Sequence, residues 1–285
     1  MKKVFNFIPI LTAASLLTFL SCQDMARPPL GNFPKDANQP GGPLKFFVAF
    51  DGTTDNLLLN VVDSIRANFP ATNPMMSIDG ISGKAIQGDG KAYLTYPSPN
   101  DFGPTASSFT ISFWEKRDGI PNGNATFVFT IPSANGQWGG YGFSMFLLFD
   151  WGSWTPATSA TVKFYMVDDK DPDHQTDTWL TWEGANRVPG IQDNNWHHLA
   201  FVYDATASTL TLYVDGVANS NVPSWSPHGG IGINPSKIQE LNVGGNKNIK
   251  DMGWGMNWDA GLDQFRMYSS ALTAAEVQAL FAGKK

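Results

Sequence analysis

Five groups of tryptophans stand beside glycines, amides or polar residues: Trp254-Gly255-Met256-Asn257-Trp258-Asp259, Trp151-Gly152-Ser153-Trp154, Trp138-Gly139-Gly140-Tyr141, Trp179 with Trp182, and Trp225 with His228. An indole has a large apolar face and one polar handle. It can lie against the C–H face of a pyranose while Asn, Asp, Gln, Arg or backbone groups fix the hydroxyls. Trp254, Asn257, Trp258, Trp151, Trp154, Trp138 and Tyr141 are therefore candidate ligand contacts, the first group being the best. The alternative for these rings is packing at the edge of the fold or beneath loops. Trp114 and Trp196 lie in strand-like runs and read as core.

Catalytic chemistry has less material. Of 25 acidic residues only Glu115, Glu183, Glu240 and Glu276 are glutamates, and none lies within four residues of another. A retaining glycosidase holds two carboxyl groups about 5–5.5 Å apart, and no string of alternating acids supplies such a pair. Glu115 with Asp118 reads as a solvated turn, and a pair assembled from distant strands stays open. Gly142-Phe143-Ser144-Met145-Phe146 is not a Gly-x-Ser-x-Gly elbow. His197 and His198 are adjacent on a strand and face opposite ways, while His174 and His228 stand isolated in loops, so no histidine metal site is expected. Asp169-Lys170-Asp171-Pro172-Asp173 has carboxylates at alternate positions, but His174 and Leu180 occupy places an EF-hand gives to Gly and Glu. It reads as an acidic turn.

Cys22 is the chain's one cysteine. Met1 to Lys3 are positively charged, Val4 to Leu20 are mostly apolar, and Phe19-Leu20-Ser21 lead into the thiol. The pattern resembles a bacterial lipoprotein signal, which implies a signal over residues 1–21 and a lipidated Cys22 as first mature residue. An ordinary cleaved signal or an anchor helix is the alternative. The lipoprotein reading places the protein at the outer membrane of a Gram-negative bacterium, exposed at the surface, and Asp24 fits that destination. Residues 22–43, with Pro28, Pro29, Pro34, Pro40 and Gly41-Gly42-Pro43, read as a flexible tether. Lipidation leaves no thiol to pair, so packing or a bound ion must supply the stability. Past the signal no apolar run approaches the ~20 residues needed to span a bilayer. The net charge of -6, without a Lys/Arg cluster, argues against a nucleic-acid partner.

The elements that must position these residues are strands. Thr209 to Val214 alternates, with Leu210, Leu212 and Val214 on one face, and ends at the tight-turn pair Asp215-Gly216. Trp196 to Tyr203 is apolar on both faces, and Asp204 to Ser208 closes the two into a hairpin. Similar runs at 45–50, 92–96, 109–115, 126–131, 141–150, 161–167, 238–243 and 262–268 predict ten or more strands. One helix is expected over Ala274 to Phe281, with Thr273 and Glu276 forming a capping box. Residues 44–285 read as one domain.

Phe50-Asp51-Gly52, Gly83 to Ile86 with Gly90 to Leu94, Phe109 to Trp114, Trp196 to Phe201 with Leu212 to Gly216, and Gly261 to Tyr268 with Ala271 to Val277 together resemble the laminin-G-like branch of the concanavalin A-like lectin and glucanase superfamily. The resemblance implies an all-β, two-sheet antiparallel jelly roll with a short C-terminal helix, and a concave face on which related proteins bind or cut glycans. It also implies one structural Ca²⁺ between the early and closing strands, held by Asp51 and Asp263, whose alternative role is capping turns. Residues 117–189 exceed the family's usual length, so no site residue carries over there. The expected function is non-catalytic binding of a polysaccharide or oligosaccharide by a lipid-anchored protein near glycan-uptake machinery. The alternatives are a glycoside hydrolase or lyase with a noncanonical acid pair and a protein-binding adhesion module.

Overall fold

The structure is a computed structural model that describes residues 42–51, 58–62, 74–119, 124–136, 138, 141–150, 159–171 and 173–284. Cys22, Trp151, Trp154, the expected signal and all of the expected tether before Gly42 lie outside them. The described strands are β1 (Leu44–Val48), β2 (Met76–Asp79), β3 (Lys84–Gln87), β4 (Leu94–Tyr96), β5 (Phe109–Asp118), β6 (Ala125–Pro132), β7 (Phe143–Asp150), β8 (Ser159–Asp168), β9 (Thr176–Trp182), β10 (Val188–Pro189), β11 (Asp193–Asp204), β12 (Thr209–Val214), β13 (Val217–Ala218), β14 (Leu241–Val243), β15 (Gly255–Asn257) and β16 (Gly261–Tyr268). They form two eight-stranded sheets. The first runs β13-β12-β11-β5-β16-β3-β2 with β1 also on β16, and the second runs β10-β8-β7-β6-β14-β4 with β9 on β8 and β15 on β6. The pairings are antiparallel except β15 with β6. This is the expected jelly-roll sandwich.

Alternation within strands builds the core. Phe109, Ile111 and Phe113 of β5, Leu199, Phe201 and Tyr203 of β11, and Phe129, Leu147 and Phe164 of the second sheet meet between the sheets and are fully buried. The β11–β12 hairpin pairs in the expected register, from Leu199 opposite Val214 to Asp204 opposite Thr209. Asp215 and Gly216 both take positive φ, 50° and 80°, which a two-residue hairpin turn demands. The C-terminal helix spans Ala274–Gly283, with Thr273 and Glu276 closing the capping box reciprocally. It covers the outer face of the first sheet: Val277 packs with Ala200 and Val202, and Phe281 stacks on Trp114 with ring centroids 5.6 Å apart. No described helix is long and apolar enough to cross a membrane.

Sequence reading missed several strands, and β9 is the instructive one. Thr176-Asp177-Thr178-Trp179-Leu180-Thr181-Trp182 has three threonines and an aspartate, so it lacks the apolar run that marks a strand. Only Leu180 and Trp182 face the core; the other side of β9 faces outward. Pro43, assigned to the tether, already accepts a hydrogen bond from Ser269 N at 2.8 Å.

Candidate functional site

The outer face of the second sheet carries an aromatic groove. In β7, β8 and β9 the residues opposite in alternation to the core rows point away from it, so register sets them in rungs. Phe146 pairs with Tyr165 and Tyr165 with Trp179, while Leu148 pairs with Lys163 and Lys163 with Thr181. The Phe146 and Tyr165 rings stack at 4.8 Å, and Trp179 stands 5.2 Å from each. Two loop tryptophans complete the wall. Trp138 lies 4.9 Å from Phe146 and 6.0 Å from Trp179, and Trp254 meets it edge-on at 5.8 Å. Trp138, Leu148, Trp179 and Trp254 line a cavity of about 510 Å³. Trp179 is 37% and Trp254 40% exposed, so part of each ring faces solvent.

One end of the groove is polar, lined by Asp150, Lys163, Thr181 and Glu183. Lys163 Nζ lies 2.7 Å from Asp150 Oδ2 and 3.3 Å from Glu183 Oε2, while Thr181 donates to Glu183 Oε1 at 3.1 Å. Burial works to lower the Lys163 pKa, but the two carboxylates override it and the net direction is upward. On the neighbouring rungs Tyr165 donates to Asp177 at 2.6 Å.

Of the sequence candidates, Trp254, Trp138 and Tyr141 are brought together, Tyr141 on the rim 5.4 Å from Trp138. Trp258 is not a platform: it is fully buried against Phe149, with the Arg117 guanidinium 4.2 Å above its ring. Asn257 is likewise committed internally, accepting from Asn246 N at 2.9 Å and donating to Lys91 O at 2.6 Å. Trp179 and Trp182 stand three apart on one strand and so face opposite ways. Trp182 is core and donates to Asn221 O. Trp225 stacks flat on His228, which is 3.0 Å from Asp168. Recognising β9 as a strand is the signal that would have separated Trp179 from Trp182 and added Thr181.

Glu115 corrects another expectation. It faces the core as part of β5, fully buried, and neither carboxylate oxygen has a hydrogen-bond partner. Arg117 Nε is 4.0 Å away, but its Nη1 is bonded to Asp259 at 2.7 Å. Burial pushes Glu115 up to about 8 against the opposing pull of Arg117 and His197. His197 and His198 do face opposite ways: His197 bonds Asp215 and Asp193, whereas His198 is buried beside Ser112 at 2.9 Å.

Asp51 and Asp263 form a second, smaller site. Asp263 is fully buried on β16, accepts from Ile81 N at 2.9 Å through Oδ2, and has no partner for Oδ1. Asp51 accepts from Lys84 N at 2.7 Å. Gly80 and Gly83 close the β2–β3 turn, and a Cβ at either would run into these carboxylates. Burial first, then the charge of Asp51, pushes Asp263 up to about 7, and burial raises Asp51 as well. Phe50 and Gln264, next in sequence to the two acids, hold positive φ of 58° and 49°, strained conformations that cluster at binding sites. No group of three His, Cys, Asp or Glu side chains among the described residues could hold a metal. In the acidic turn Asp169 is turned inward to accept from Asn234 N and Asn135, and Asp171 caps Asp173 N.

A family described as the concanavalin A-like lectin/glucanases superfamily matches residues 88–278. No curated protein matches the chain. Among solved structures, domain 4 of an extracellular arabinanase from Geobacillus stearothermophilus, in complex with arabinotriose, is 18% identical with a TM-score of 0.53, covering 83% of this chain and 97% of that one. The binding domain of the paraclostridial mosquitocidal protein 1 is 18% identical, TM-score 0.56, over 85% of this chain and 52% of that one. The botulinum neurotoxin serotype D ligand-binding domain, in complex with N-acetylneuraminic acid, is 11% identical, TM-score 0.54, over 85% and 51%. The chain thus spans about half the length of the toxin domains. At these identities the likeness is one of fold.

Proposed function

The chain belongs to the concanavalin A-like lectin/glucanase superfamily, and on that premise we propose that it is a non-catalytic glycan-binding protein whose ligand lies in the aromatic groove of the second sheet. The observation that carries this reading is the half-exposed pair Trp179 and Trp254 beside the Asp150–Lys163–Glu183 cluster. The rings offer flat apolar faces to sugar C–H groups, and the cluster offers donors and acceptors to hydroxyls at one end. Both carboxylates lining the groove are ion-paired with Lys163, an arrangement suited to holding hydroxyls. Trp151 and Trp154 remain proposed contacts, Trp151 following directly on Asp150. Complexes of structural neighbours with arabinotriose and N-acetylneuraminic acid support glycan binding by this fold. Lipidation at Cys22 would hold the groove at the outer-membrane surface, where captured glycan could pass to uptake machinery.

Trp179→Ala and Trp254→Ala are each expected to weaken glycan binding at least tenfold, about 1.4 kcal/mol, while the melting temperature moves by only a few degrees. Affinity electrophoresis against plant, host and microbial polysaccharides checks this, with reducing ends assayed in parallel. Unchanged retardation of both variants removes the groove from the reading. Release of reducing ends moves the protein to the hydrolase or lyase class.

We further propose that Asp51 and Asp263 hold one Ca²⁺. The orphaned, buried Oδ1 of Asp263 and the neighbouring carboxylate of Asp51 suit a hard cation. The ion would draw its other oxygen ligands from carbonyls or water and serve to join two strands. Calcium is expected to raise the melting temperature of the wild type and leave that of Asp263→Asn unmoved. A wild type indifferent to both calcium and chelator shows that the acids only cap turns.

A further inference from the structure

We infer that the groove takes uncharged glycan chains and turns away those bearing carboxylates, and that the Asp150–Lys163–Glu183 cluster makes this selection; the inference rests on the glycan-binding reading above. Lys163 is the one cation among the described residues lining the groove, and two carboxylates already hold it, at 2.7 and 3.3 Å. Two of its three N–H donors are therefore engaged. A cluster of one positive and two negative groups presents a net negative charge at the polar end, and Asp177, bonded to Tyr165, adds another on the same sheet face.

An incoming uronate or sialate would meet like charges within a few ångströms, in a site whose apolar walls screen them less than water does. Its carboxylate would have to share the lysine with two carboxylates already in place. A neutral sugar has no such conflict. Its hydroxyls can donate to Glu183, and a charged acceptor makes a stronger hydrogen bond than a neutral one. The remaining contacts, Trp138, Trp179 and Trp254, carry no charge and favour flat, uncharged ring faces. The selection is thus written in two strands, β7 and β8, and in the residue just past β9.

The test uses β-glucan, mannan and 1,4-linked galactan, each beside the same polymer with its primary hydroxyls oxidised to carboxylates, run by affinity electrophoresis at low and high salt. The expected result is retardation by at least one neutral polymer, with its oxidised form at least tenfold weaker, the gap narrowing in high salt as charge is screened. The double variant Asp150→Asn/Glu183→Gln, checked for an unchanged melting curve, should recover binding of the oxidised polymer. Equal or tighter binding of the oxidised form overturns the inference and leaves glycan binding standing. A gap that the double variant does not narrow overturns the assignment to this cluster. Silence from all six polymers removes the glycan reading and this inference with it.

Discussion

Trp258→Ala is expected to cost about 3–5 kcal/mol of stability, the range for deleting a buried aromatic ring, and to lower the melting temperature by roughly 10 °C. The contrast with Trp254, four residues earlier, is the point of the experiment. Trp258 packs edge-on against Phe149 at 5.4 Å and lies under the Arg117 guanidinium, so its removal leaves a void and strips a buried cation of the nearer of its two aromatic partners, Phe149 at 5.2 Å being the other. Arg117 would keep Asp259, but the ring side of its charge would face empty space. Trp254 has no such burden, because two-fifths of its surface is already in solvent. Thermal unfolding of both variants, followed by circular dichroism, decides the matter. A Trp258→Ala protein that melts with the wild type would mean that the ring is not part of the core.

Glu115→Gln is expected to stabilise the protein at alkaline pH, by on the order of 4 kcal/mol near pH 8.5. Glu115 has a folded-state pKa of about 8 against an ordinary value of 4.5. The folded state therefore holds this proton more tightly than the unfolded one. The group's contribution is fully present below about pH 4.5 and is lost as pH rises toward 8. Glutamine keeps the shape and cannot ionise, so the variant should match the wild type near pH 4, gain on it steadily between about pH 4.5 and 8, and hold a constant lead above that. Asp263, raised to about 7, pulls stability in the same direction in both proteins, so the difference between them isolates Glu115. Urea unfolding across pH 4 to 9 measures it. A variant equally destabilised at every pH would show that the carboxylate is ionised and paired with Arg117.

Both residues show where sequence reading stopped. By sequence, Glu115 with Asp118 reads as a solvated turn at a strand's end, yet β5 runs on to Asp118 and carries Glu115 and Arg117 into the sandwich. A charged pair at alternate positions near a strand's end looks the same whether that end is in water or beneath a second sheet. Trp254 and Trp258 shared one motif because both neighbour glycine and amide groups. Between them lies β15, whose parallel pairing with β6 no local pattern announces.

The amino-acid sequence by itself determined the two-sheet architecture, the β11–β12 hairpin and the capped C-terminal helix. Each rests on interactions between residues close in the chain: period-two alternation, the positive-φ turn at Asp215-Gly216, and the reciprocal bonds of Thr273 and Glu276. Only the tertiary structure decided the groove. Alternation says which residues of a strand share a face, but not which face the second sheet will cover. Trp179, Tyr165, Phe146 and Lys163 become one site because β7, β8 and β9 pair in one register and their outer face is not the one packed against the first sheet. That choice is made by the whole core, where burying Phe164, Leu147 and Leu180 on the other side leaves the aromatic row facing solvent.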